Sequence, residues 1–309
     1  LSGESSLVVF KIYEHRYTFK GQFAYAADMI RLSLEMMGHT EGDNPDLHIY
    51  NHTCRDLEPD MPENSIIFKP TAPTSQHFQI CDTGYANSSA LTFEDPTFYT
   101  DWRAYDTTEW NEIQSLIERR ANKWDQSIII NGWDEVKDVK DDHILVIGQM
   151  PDDETVNGFG FKGHINRIDM ILDKLEGEDI VLKLHPRYKA STVAEKRAYR
   201  KWEEMKNVQI LKGFTTIHSV LPKTRVAILD NSTAGIECMM HDVPMITYGY
   251  PDYHWVTQDM RSLTQLRGMI NTVDNWYDKE LTRRFLCYYV FEYLCSDIDT
   301  TMNRLKELL

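Results

Sequence analysis

The second half of the chain carries four apolar runs of strand length, Ile144–Ile147, Ile180–Leu184, Val226–Leu229 and Met245–Tyr248. Segments with helical spacing separate them, near Ile165–Leu175, Ala194–Met205 and Ala234–His241. Strands that alternate with helices cannot pair as hairpins; they require crossover connections, and so a parallel sheet with helices on both faces. Val208–Leu211 is a further strand candidate, with a short helical turn near Ile217–Leu221 after it. No internal repeat and no low-complexity stretch interrupts the pattern.

The first half is less regular. A β-rich run over Leu7–Tyr13 precedes a polar loop, and a helix is predicted over Gln22–Met37 from Phe23, Ala27, Ile30, Leu34 and Met37 at helical spacing. Short strands are expected at Leu47–Tyr50, Ile66–Phe68 and Phe78–Cys81, and Thr83–Thr108 reads as irregular. A helix over Glu109–Trp124 and an apolar run at Ile128–Ile130 complete this half. The acidic stretch Asp134–Asp142 has no periodic apolar face and marks the expected boundary, giving domains 1–138 and 139–309. The last helices, from about Asp278 onward, are amphipathic and long enough to pack back across the first domain.

Charge narrows the function. The formal net charge of −15 argues against nucleic acid or an anionic membrane as a partner held by the overall field. A phosphorylated ligand is still compatible where cations and backbone amides are concentrated locally. Five scattered cysteines without a C-x-x-C pair suit reduced thiols in a cytoplasmic protein, and neither a disulfide framework nor a structural metal is expected. Leu1–Ser6 lacks the regions of a signal peptide and reads as a cut within a longer chain. No G-x-G-x-x-G, Walker loop, H-E-x-x-H or G-x-S-x-G is present, so dehydrogenase, P-loop, zincin and α/β-hydrolase readings start low.

In open parallel sheets, ligands bind where the strands end. The first of the four runs ends in Gly148-Gln149-Met150-Pro151-Asp152-Asp153, where a carboxylate can act on an anomeric carbon or simply cap the next segment. The second ends in Lys183-Leu184-His185-Pro186-Arg187; proline holds the histidine extended at the sheet edge, between two cations suited to a phosphate. The third ends in Asp230-Asn231-Ser232-Thr233-Ala234-Gly235-Ile236-Glu237, hydroxyls and a glycine at a strand-to-helix turn, suited to an anion or to ordinary capping. Glu237, one turn further, can reach a ribose. The fourth ends in Tyr248-Gly249-Tyr250-Pro251-Asp252-Tyr253-His254-Trp255, aromatic groups that either stack on a base or sugar or form a packed corner, the reading preferred for Trp255.

Taken in order, these blocks resemble the bacterial capsule-polysaccharide synthesis family that contains the β-Kdo transferases, over roughly Ile144–Trp255. The longest shared piece runs from Ser232 to Tyr253. The resemblance implies an α/β, GT-B-like fold, two Rossmann-like domains facing across a cleft, with the second holding a CMP-sugar donor. It implies donor contacts from Gln149, Lys183, His185, Arg187, Ser232, Thr233, Glu237, Tyr248 and Tyr253, with His185, Ser232 and Thr233 at the phosphate. The family's Gln-x-x-x-Asp pattern falls on Gln149 and Asp153, making Asp153, or its neighbour Asp152, the expected carboxylate of a retaining double displacement, with His185 assisting.

The implied reaction moves Kdo or a related ulosonic acid from CMP to a saccharide or glycolipid acceptor, at the cytoplasmic side and within a larger or membrane-associated assembly. A sialyltransferase or another nucleotide-sugar transferase on this scaffold is the enzymatic alternative; a non-catalytic sugar-nucleotide-binding domain is the other. On the acceptor side the first strand-to-helix loop offers His15, Arg16 and Lys20, unless it is a solvated basic loop.

Overall fold

The computed structural model describes residues 7–13, 22–51, 61–68, 79–83, 91–93, 102–118, 136, 139–153, 156, 160, 163–213 and 215–309. Contacts gather the described residues up to Trp102, together with Tyr288–Leu309, into one compact unit, and the described residues between Arg103 and Cys287 into another. Among the described residues, no helix is long and apolar enough to cross a membrane.

The first unit is a six-stranded sheet of β1 (Val9–Tyr13), β2 (Thr40–Glu41), β3 (Leu47–Asn51), β4 (Ser65–Phe68), β5 (Gln79–Thr83) and β6 (Leu91–Phe93), with α1 (Gln22–Met36) between β1 and β2. Its order is β2-β1-β3-β4-β5-β6, parallel except for β6 against β5. Phe10 and Ile12 alternate with half-buried neighbours along β1, so one face meets Ala26, Ala27, Ile30 and Leu34 of α1. Strand β6 falls inside the stretch read as irregular. At three residues it is too short to show a period, and it exists through its partners: β5 on one side and a reciprocal backbone bridge from Leu91 to Cys295. The C-terminal helix Ile298–Leu308 completes this core with Leu305. It is started by a box in which the Asp297 carboxylate accepts from the Thr300 amide.

The second unit holds α2 (Trp110–Glu118), β7 (His143–Ile147), α3 (His164–Lys174), β8 (Ile180–Lys183), α4 (Val193–Glu204), β9 (Val208–Leu211), β10 (Thr224–Leu229), α5 (Ala234–Met240), β11 (Met245–Thr247) and β12 (Gln258–Asp259). The sheet order is β12-β11-β10-β7-β8-β9, and every pairing is parallel. Every residue of β7 and β8 is buried. That is the pattern of strands covered on both faces, and it is why these runs read so clearly in the sequence. Helix α3 turns Ile168, Ile171 and Leu172 onto the sheet.

Contacts divide the chain differently from the expected cut after residue 138. Helix α2 belongs to the second unit: Ile113 is fully buried, Gln114 donates to the Met240 carbonyl, and the Arg283 guanidinium lies 4.4 Å over the Trp110 ring. Conversely, the C-terminal helix belongs to the first unit, where it packs on α1. A polar stretch marks where a chain can turn, but partners decide which core a helix joins.

One ion cluster ties this unit together. Asp242 follows α5 with φ 55° and receives both Arg283 nitrogens at 2.7 Å and Lys279 at 2.9 Å. Burial pushes its carboxyl up, but the bonds and charge of Arg283 and Lys279 outweigh that and hold it below the usual range. A depressed carboxyl stabilises the fold above its unfolded pKa, and the stabilisation fades as pH falls through the folded value. Asp242→Asn, which tolerates the same backbone, is therefore expected to cost about 1–3 kcal/mol near neutrality. In chemical-denaturation series this gap should begin to shrink below about pH 4 and close as pH falls through the lower folded value. A gap that is constant with pH would refute the ion-pair account.

Candidate functional site

The chain leaves β7 toward β8 and β9, then returns to β10 on the other side of β7 before continuing to β11 and β12. The reversal makes a topological switch point at the carboxyl ends of β7 and β10, the position where open α/β sheets bind ligands. Strands lie about 4.8 Å apart, so the loops after β8, β7 and β10 form three adjacent rims. The blocks beginning at His185, Gln149 and Ser232 therefore share one sheet edge, although they are far apart in sequence.

Two hydrogen-bonded clasps join the central rims. Gln149 donates its side-chain amide to Asn231 Oδ1 at 2.8 Å and accepts the Asn231 backbone N–H at 3.1 Å. Beneath it, the Gln149 backbone N–H donates to His164 Nε2 at 2.9 Å. A nitrogen that accepts cannot carry a proton, so the ring proton is on Nδ1, which donates to Asp230 Oδ2 at 3.3 Å. Both side chains of this pair are wholly shielded from solvent. An added Cβ at Gly249 would overlap the Asp230 carboxylate, so the turn after β11 can close over the pair only with glycine.

The expected donor-binding residues divide into rim and support. His185 accepts the Arg187 backbone N–H on Nδ1 at 3.2 Å, which leaves Nε2 as the protonated, donating nitrogen; the Arg187 side chain is exposed. Ser232 Oγ accepts the Ala234 N–H at 3.2 Å, whereas Thr233, exposed at the start of α5, makes no capping bond. Asp152 and Asp153 are both exposed at the tip of the turn after β7, which the Asp153 N–H closes onto the Met150 carbonyl at 3.1 Å. Glu237 is buried in the first turn of α5.

Four of the expected residues support the rims. Gln149 commits both ends of its amide to Asn231, as above. Lys183 is buried and gives its ammonium to the carbonyls of Leu184 at 2.9 Å and Gly213 at 3.0 Å; burial pushes its pKa down to about 8. Tyr248 lies in the sheet core, its ring centroid 6.3 Å from that of His164. Tyr253 is buried, donates its hydroxyl to the Ser232 carbonyl and fills the space where a side chain at Gly235 would stand. Trp255 packs beside Phe285, the packed corner expected of it. His15, Arg16 and Lys20 lie outside the described residues.

Sequence reasoning passed over His164 and gave Asp230 and Asn231 no role. A histidine opening a helix and an aspartate ending a strand carry no signal by themselves. Their meaning comes from meeting across 66 residues of chain.

A six-stranded parallel sheet with a ligand-type switch point, paired with a second parallel-sheet unit, is the α/β architecture of the GT-B glycosyltransferase class. Two solved structures of Thermosulfurimonas dismutans KpsC share it. The β-Kdo 2,4 transferase is 13% identical with a TM-score of 0.55, over 96% of this chain and 97% of that one. The β-Kdo 2,7 transferase is 11% identical with a TM-score of 0.55, over 96% and 99%. No curated protein sequence matches the chain. Residues 71–293, well over half its length, match the capsule polysaccharide biosynthesis protein family, and the chain belongs to that family.

Proposed function

We propose that this capsule polysaccharide biosynthesis protein is a glycosyltransferase that moves Kdo, or a related ulosonic acid, from its CMP-activated form to a saccharide acceptor with retention of configuration. The observation that carries the reading is the convergence of an exposed carboxylate pair, a donating imidazole and two hydroxyls on adjacent rims of one sheet edge. Asp153 attacks the anomeric carbon as its bond to the phosphate oxygen breaks, and CMP departs with that electron pair. His185 Nε2–H, Ser232 and Thr233 stabilise the charge growing on the phosphate. The acceptor hydroxyl then gives its proton to solvent water and displaces Asp153, which leaves as its carboxylate, giving two inversions and net retention. Glu237 faces the ribose, and no metal has an assigned role in this scheme. The KpsC transferases of the same fold support the choice of Kdo.

Binding of CMP to the native chain raises its melting temperature, because a ligand that selects the folded state stabilises it by about 2.7 kcal/mol at a hundredfold excess over Kd. For a unit of this size that is a shift of roughly 5–10 °C. Differential scanning fluorimetry with CMP, UDP and GDP reads it directly. A shift with UDP or GDP and none with millimolar CMP sinks the donor assignment. A donor panel then separates CMP-Kdo from CMP-sialic acid as substrate.

A further inference from the structure

Among the described residues, Tyr250 is the one aromatic side chain that stands exposed, at 65%. It lies just past the end of β11, on the rim next to the one that carries Ser232. That loop is pinned to the end of β10 at three points. The Tyr248 backbone N–H donates to the Leu229 carbonyl at 3.1 Å, Gly249 sits against the Asp230 carboxylate, and Tyr253 donates its hydroxyl to the Ser232 carbonyl. Tyr250 falls between the second and third pins, so its backbone is fixed beside the Ser232 rim.

The ring is held as well. Its centroid is 4.3 Å from that of His254 with 27° between the planes, and its hydroxyl is 3.2 Å from His254 Nε2. His254 Nδ1 lies 3.0 Å from the Pro251 carbonyl, which can only accept, so Nδ1 carries the ring proton and Nε2 accepts from the tyrosine. Burial pushes the His254 pKa down, which keeps the imidazole neutral and Nε2 an acceptor. His254 in turn packs on Trp255, with 3.7 Å between centroids, and Trp255 on the fully buried Phe285 at 6.4 Å. With one face on His254 and most of its surface in water, Tyr250 leaves its other face open. An apolar ring left in water gains nothing from the hydrophobic effect. A ring braced in that position is preorganised for a ligand that stacks.

We propose that Tyr250 is the stacking platform for the base of the nucleotide donor, a residue that the donor contacts above do not include. The inference rests on the transferase reading, with the sugar carbon at Asp153 and the phosphate at Ser232 and Thr233. Strand order then gives the direction. Asp153, Ser232 and Tyr250 follow β7, β10 and β11, three neighbouring strands. A donor laid from its sugar through its phosphate therefore reaches Tyr250 with its nucleoside. The same direction suits a ribose at Glu237, which lies in the helix that crosses from β10 to β11. Stacking is tolerant of base identity, because every base has a π-face. Tyr250 thus supplies affinity for a nucleotide without selecting cytosine.

The test titrates the full chain with CMP and with ribose 5-phosphate, which keeps the sugar phosphate and lacks the base. Ligand-observed NMR reads the binding. Tyr250→Ala should weaken CMP by roughly fivefold to a hundredfold, the value of one base–aromatic stack, and leave ribose 5-phosphate unchanged. Tyr250→Phe keeps the ring and should hold CMP within about threefold of wild type. The side chain is exposed, so neither variant should move the ligand-free melting temperature by more than about 2 °C. Indifference of CMP to Tyr250→Ala, equal losses for CMP and ribose 5-phosphate, or a loss that persists in Tyr250→Phe would each overturn the proposal. So would a rise in acceptor KM with CMP affinity intact, which would make the ring a saccharide platform. Where ribose 5-phosphate is too weak to detect, the contrast between the alanine and phenylalanine variants on CMP decides. If the wild type ignores CMP and binds UMP, AMP or GMP, the donor assignment falls, and the same variants with that nucleotide decide this proposal. If no nucleotide binds, both fall.

Discussion

Asp153→Ala is expected to lower transfer turnover by roughly 10³-fold or more, the scale on which covalent nucleophiles act, while the CMP-induced melting shift stays near its wild-type value. The variant is structurally mild. The aspartate is exposed, and the turn it occupies is closed by its backbone N–H on Met150, which alanine keeps. Loss of rate therefore reports chemistry and not folding. Asp152→Ala is the companion: its neighbour keeps the nucleophile, so turnover should fall by less than about tenfold. The opposite ranking would transfer the role to Asp152. If both variants turn over normally, neither carboxylate is the nucleophile, and the chain is either a transferase of another mechanism or a binding module. Mass spectrometry of the wild type, quenched during turnover without acceptor, supplies the positive evidence, an adduct with the mass of one glycosyl unit on this turn.

The second large effect is expected at a residue that touches no ligand. His164 and Asp230 are wholly buried together, and the imidazole is the acceptor for the Gln149 backbone and the donor to the carboxylate. His164→Ala removes, in a wholly buried place, the acceptor of the Gln149 N–H and one donor to the Asp230 carboxylate, at about 1–3 kcal/mol for each group left short of a hydrogen bond. Melting should fall by on the order of 10 °C, given about 2–4 °C per kcal/mol for a unit of this size. The loops after β7 and β10 also lose the tie that holds them in register, so at temperatures where the variant is folded its turnover should fall as well. Calorimetry with a parallel assay measures both. A drop of less than about 2 °C would mean that these buried hydrogen bonds contribute little, and the positioning role would be withdrawn.

How far the sequence could be read depended on where each element gets its stability. Strands β7, β8, β9, β10 and β11 were legible to within a residue or two. At β7, β8 and β11 every residue is buried, and a strand covered on both faces must be an unbroken apolar run, a signal local to the chain. Helices α1 and α3 were legible for the same reason. Strands β6 and β12, of three and two residues, were not: they are made by their neighbours, and Leu91 finds its partner in Cys295, some two hundred residues away. The division into units was misjudged at α2, whereas the C-terminal helix packs back on the first unit as its amphipathic face suggested. The apolar faces of helices say that they must be covered, without saying by which core.

The candidate site shows the same split. The ordered blocks around Gln149, His185 and Ser232 were enough to place the chain in its family, and family membership stands on residues 71–293. They were not enough to sort rim from support. Lys183 looks like a phosphate ligand until its ammonium is seen on two carbonyls, and Gln149 looks like a donor contact until Asn231 takes both ends of its amide.

By itself, then, the order of residues determined the alternation of strands and helices, the parallel sheet and the family, because apolar periodicity and short motifs are properties of contiguous chain. Tertiary structure alone decided the sheet reversal at the carboxyl ends of β7 and β10 and the buried His164–Asp230 pair behind them. Each of these is a meeting of segments distant in sequence, and burial gives such a meeting its energy only once the chain has folded.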